Sequence, residues 1–195
     1  MGLLRLTILI SLLATVDATA SPTVKRRDET YGVTGSSLQE LRQMIDRNGP
    51  VNKDDGKRYD GLTEWSLTWD YKLKRHGKVW IVSRRSVLLE IKVLTPRWTD
   101  FHNKSGALRT QWRIYRANLL RHEEGHVKIA LRAARAIDKY LGVCGASSSL
   151  EKLKSDIQKN TTSLLKQYRK IDQGYDQRTR HGATQGVRLK QRPAD

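Results

Sequence analysis

Cysteine, acid and long apolar runs are all scarce in this chain. Cys144 is the one cysteine among 195 residues, so no internal disulfide can form and stability must come from packing or from a bound metal. Asp and Glu number 20 against 37 Lys and Arg, a formal charge of +17. Such a surface attracts anionic partners. With neither a recognisable nucleic-acid fold nor exposed aromatics interleaved with the basic residues, it does not indicate a specific nucleic-acid reader. The charge reads instead as a solvated face or as a weak attraction to an anionic cell envelope. No apolar run reaches the roughly 20 residues that a membrane span needs. The run at 6–13 follows Arg5 and precedes Ala18-Thr19-Ala20, the composition of a secretory signal peptide over residues 1–20. Its removal takes away one base, Arg5, and one acid, Asp17, which leaves the charge at +17. A secreted or periplasmic protein is therefore expected, with no membrane span in the mature chain. No internal repeat is evident.

Residues 21–30 are polar and charged and read as a disordered lead-in to one domain spanning 31–191, with 192–195 as a tail and fraying expected from Val187 onwards. Ser37 and Glu40 form a capping box for a short helix that Asn48-Gly49-Pro50 ends. Trp65, Leu67, Trp69, Tyr71 and Leu73 alternate with polar residues as a half-buried strand requires. His76-Gly77 suggests a turn, and 79–82 and 87–94 read as two further strands ended by Pro96. From Ser105 an apolar stripe at helical spacing runs to Gly142. A second long helix begins near Ser148 and closes at Gly174. The fold class is α+β: a small antiparallel sheet, then a long helix and a second helix packed on it as a hairpin, in the manner of zincins.

His122-Glu123-Glu124-Gly125-His126 matches HExxH. Residues four apart on a helix project together, so both imidazoles can reach one ion, and neutral imidazole suits Zn2+. Glu123, about 100° round the helix, is placed to act as general base towards an attacking water. With five histidines in the chain, about 0.005 such matches are expected by chance, which favours a metal site over two core histidines. A catalytic zinc typically takes three protein ligands. Ile129 and Arg132 rule out the metzincin continuation. Asp138, as an aspzincin-like reading would use it, lies roughly 18 Å along the helix from His126. Glu151 has a capping role. His76 sits in a turn and His102 about five turns before the motif. His181 remains as the preferred third ligand, because the second helix folds back beside the first and Gly182 permits close approach. Asp176 is then a candidate acceptor orienting a ligand imidazole, and Tyr175 a candidate donor to a developing oxyanion; for both, an ordinary turn role fits equally.

Together, GLTEWSLTWDY, WRIYRANLLRHEEGHVKIALRAA and YDQRTRHGATQG resemble a family of secreted bacterial proteins, a domain of unknown function predicted to be Zn-dependent proteases, over roughly 31–191. The resemblance implies zinc on His122, His126 and His181, with Glu123 as catalytic acid/base. The activity expected is a zinc metallopeptidase hydrolysing peptide or protein substrates. Two alternatives remain open: a zinc amidase acting on cell-wall peptides, and a non-catalytic zinc-stapled module that binds anionic envelope polymers.

Overall fold

The alternating segment from Thr63 does form a strand, and its partners set the architecture. The computed structural model describes residues 21–53 and 55–189; the expected leader and the tail at 192–195 lie outside them. Its elements run β1 (Thr23–Val33), α1 (Leu38–Asn48), β2 (Leu62–His76), β3 (Val79–Trp98), α2 (Gly106–Val143) and α3 (Leu150–Thr179). No helix among the described residues is long and apolar enough to cross a membrane.

The sheet has the order β1-β3-β2 and is mixed. β2 and β3 make an antiparallel hairpin through Gly77, whose φ of +59° suits glycine. β1 lies parallel to β3 on its other side. This corrects two expectations. Residues 21–30 are not a disordered lead-in: Thr23 to Thr30 pair in register with Leu88 to Thr95. Their side chains are almost all exposed, so composition carries no apolar alternation, and the backbone ladder of β3 holds the strand instead. The sheet is also not purely antiparallel, because the connection through α1 and β2 returns the chain to β3 in the same direction as β1. The two strands expected at 79–82 and 87–94 are a single 20-residue strand that continues through Pro96 to Trp98.

One face of the sheet is covered. Val87, Leu89, Ile91 and Val93 of β3, with Trp65 and Leu67 of β2, pack against Val127, Ala130, Ala133, Ala134 and Ile137 of α2 and Leu153 and Ile157 of α3. A second apolar cluster joins Val33, Leu41, Ile45 and Trp98 to Trp112, Tyr115 and Leu119 near the start of α2, and to Val187. Val187 is buried and Leu189 packs on the same cluster, so fraying does not begin at Val187. Asp138 is held by Arg85 at 2.8 Å, which accounts for an acid on the buried side of α2.

Ser105 caps α2 as expected, accepting from the backbone N–H of Leu108; α3 is capped by Ser149, which accepts from Lys152, and not by the expected Ser148 with Glu151 as its capping-box partner. α3 does not close at Gly174; it runs to Thr179 and stops where Arg180 takes φ +50°. Folded back as a hairpin, it crosses α2 closely at Gly125. A methyl group there would collide with the ring and hydroxyl of Tyr175. Gly costs about 1 kcal/mol relative to Ala inside a helix, and here the crossing outweighs that penalty. Gly125→Ala is expected to lower stability by about 1–3 kcal/mol through overpacking, read from the urea denaturation midpoint. In the Tyr175→Ala background the same change should raise the midpoint, because propensity alone then acts.

Candidate metal centre

His122, Glu123 and His126 occupy the stretch of α2 between the two apolar clusters, after Leu119 and before Val127. All three side chains are buried, and an unpaired buried imidazole would cost about 1–3 kcal/mol. Their partners come from α3 and the turn after it.

Asp176 reaches both histidines with one oxygen. Its Oδ1 stands 3.2 Å from His122 Nε2 and 3.1 Å from His126 Nε2. The three donor atoms lie within 4.8 Å of one another, and the residues behind them aim the rings. His122 Nδ1 meets Gln185 Oε1 at 2.9 Å, and Gln185 Nε2 donates to the Tyr175 hydroxyl at 3.0 Å. His126 Nδ1 meets Asp172 Oδ1 at 2.7 Å, and Asp172 Oδ2 accepts from Trp65 Nε1 at 2.8 Å. With each Nδ1 engaged by an acceptor, both Nε2 atoms face Asp176.

Electrostatics follow from this crowding. Burial alone would lower the His126 pKa, but the Asp172 and Asp176 carboxylates bonded to it hold it up to about 10. Burial would raise Asp176, yet the imidazoles of His122 and His126 keep its carboxyl well below the usual range. Buried Glu123 is pushed up, against the hydrogen bond from Thr63 Oγ1 at 2.7 Å. Two imidazole nitrogens and a carboxylate oxygen converging in this way form a group that could hold a metal ion. A cation would compensate the acids that otherwise depend on a proton on His126.

The expected residues are thus placed unequally. His122, His126 and Glu123 stand together as the motif predicts. Asp176, expected to orient a ligand, joins the donor cluster itself. His181 lies outside that cluster: its Nδ1 is 3.5 Å from Asp176 Oδ1, its side chain is half exposed, and its ring rests on Tyr59 at 4.5 Å between centroids. The left-handed backbone at Arg180 and His181, both at φ +50°, turns it aside. Tyr175 does not face the cleft. Its ring stacks on His122 and its hydroxyl donates to the His122 carbonyl at 3.2 Å, because Gly125 lets it pack behind the motif. Sequence reasoning missed Asp172, Trp65, Thr63, Gly61 and Gln185. Asp172 and Asp176 repeat on α3 the four-residue spacing of the histidines on α2, a signal that was available. Gly61 is set by contact: a methyl group there would come within 2.6 Å of Glu123 Oε1.

A cleft of about 400 Å3 opens onto His122, Glu123, His126 and Asp176, with Leu62, Trp65 and Tyr59 on its walls. Residues 28–182 match the model of a family described as "Bacterial protein of unknown function (DUF922)". The chain belongs to that family. No curated protein and no solved structure matches it.

The geometry makes the third donor testable. One divalent cation per chain is expected by native mass spectrometry, and Asp176→Ala should weaken its binding far more than His181→Ala; the reverse order would make His181 the third ligand. Asp172→Asn should weaken binding by about 10–100-fold, measured by competition with a chromophoric chelator.

Proposed function

We propose that this protein is a secreted or periplasmic zinc-dependent hydrolase of peptide bonds. The observation that supports this best is the buried Glu123 carboxylate beside the His122–His126–Asp176 cluster, in a cleft open to a substrate. A zinc ion held by His122, His126 and Asp176 would supply Lewis acidity, acidifying water from a pKa of 15.7 to about 7 and polarising a substrate carbonyl. His181, read from the sequence as the third ligand, is in this reading the neighbour that confines Asp176 from the solvent side.

The chain's own groups have distinct tasks. Glu123 takes a proton from the attacking water and returns it to the leaving amine. Thr63 fixes one oxygen of that carboxylate, and the bare Gly61 leaves room for the other. Burial favours the protonated form of Glu123, bringing its affinity for the proton closer to that of the group it must serve. Asp172 and Gln185 keep the two Nε2 lone pairs aimed at the metal position, and Trp65 holds Asp172. A cleft on one side of the cluster favours catalysis over a closed structural staple, which would need a fourth protein ligand.

Glu123→Gln should keep the metal and lower kcat by about 10²–10⁴-fold, followed by release of new amines. Run side by side on an unstructured protein and on purified cell wall, the assay also separates a general peptidase from an amidase of cell-wall peptides. Full turnover in this variant would remove Glu123 from the mechanism. No amine release from either material by the metal-loaded wild type would leave the non-catalytic zinc module.

A further inference from the structure

A second cleft lies on the outer side of α2, away from the metal cluster. Trp98, Phe101, Trp112, Ala117 and Leu120 give it an apolar interior of about 540 Å3, and Arg97, Arg113 and Arg116 stand on its rim. None of these three arginines pairs with a carboxylate among the described residues. Arg113 and Arg109 instead lie over the Phe101 ring, at 5.2 and 5.9 Å from its centroid, and Arg109 Nε is buried without a hydrogen-bond partner. Positions 113, 117 and 120 share one stripe of the helix, and Ile114 flanks it about 60° from Ala117.

Five large hydrophobic residues are exposed among the described ones: Val24, Val51, Ile114, Leu120 and Val143. Only Ile114 and Leu120 are larger than valine; Leu120 lines this cleft, and Ile114 stands at the other edge of the exposed side of α2, about 120° round the helix from it. Unpaired arginines alone would suit any polyanion. Arginines interleaved with exposed isoleucine and leucine, around a cleft walled by tryptophan and phenylalanine, suit a layer with anionic heads above an apolar interior. We propose that this face of α2 docks the protein peripherally on an anionic phospholipid surface, with guanidinium groups on the phosphates and Ile114 and Leu120 at the acyl boundary. Arg113 and His122 are nine residues apart, about 180° round the helix. This inference is independent of any hydrolytic activity.

The test is vesicle flotation of the exported protein with phosphatidylcholine alone and with phosphatidylcholine containing phosphatidylglycerol. Binding is expected only to the anionic vesicles. Ile114→Ser/Leu120→Ser and Arg113→Gln/Arg116→Gln should each weaken it about tenfold or more, with unchanged circular dichroism and metal content. Lys159→Gln/Lys166→Gln, on exposed positions of α3, should leave it unchanged. Absence of binding to anionic vesicles would overturn the proposal. So would equal weakening by the α3 pair, which would reduce the effect to the overall charge of +17. Undiminished binding by the Ile114/Leu120 variant, together with equal binding to soluble polyphosphate, would replace the lipid surface with an anionic polymer.

Discussion

Two imidazoles on one helix face two carboxylates on another, and most of the structure serves to keep them there. His122 and His126 are buried on α2, while Asp172 and Asp176 come from α3. Neither pair is tolerable alone: buried histidines without acceptors and half-buried acids without cations would each oppose folding. Brought together they satisfy one another, provided the helices cross closely and in register. The crossing depends on Gly125, whose missing side chain is replaced by the Tyr175 ring. Tyr175 in turn bonds the His122 carbonyl and Gln185, so the contact that sets helix spacing also steadies the His122 ring.

The sheet contributes through its covered face. Arg26, Ile91 and Trp65 lie side by side across β1, β3 and β2. Trp65 donates to Asp172, and Arg26 pairs with Glu124 of the motif at 2.9 Å. The exposed-looking first strand is thereby tied to the same helix turn as the His122–His126–Asp176 cluster. Ahead of β2, Asp60 accepts from Arg42 and Tyr115 and fixes the segment that carries Gly61 and Thr63 against Glu123. That network belongs to the second apolar cluster, so both halves of the core meet at the motif.

The charge distribution is uneven in a way composition conceals. A chain of net +17 gathers Asp60, Glu123, Asp172 and Asp176 around one cleft, where a cation is the natural complement. Its basic residues are spread more widely: Arg42, Arg58 and Arg169 also line that cleft, and on the outer face of α2 Arg97, Arg113 and Arg116 lack acidic partners among the described residues.

The local elements were legible because their signals are local. Caps, the period-two pattern of β2 and the apolar stripe of α2 are each written within a few turns of chain, and HExxH carries its geometry in its own spacing. β1 was not legible, since an edge strand with exposed side chains is held by backbone bonds to a strand some 65 residues on. Nor was the continuation of α3 through Gly174, or of β3 through Pro96, because packing and ladder bonds override local propensity. The sequence by itself determined that two histidines and a glutamate share a helix turn. Only the tertiary structure decided that Asp176 meets both histidines, that His181 stands aside and that Tyr175 lies behind the motif. Those choices depend on where α3 crosses α2 and how its left-handed end turns, and a helix-helix crossing is set by contacts between residues some 50 positions apart.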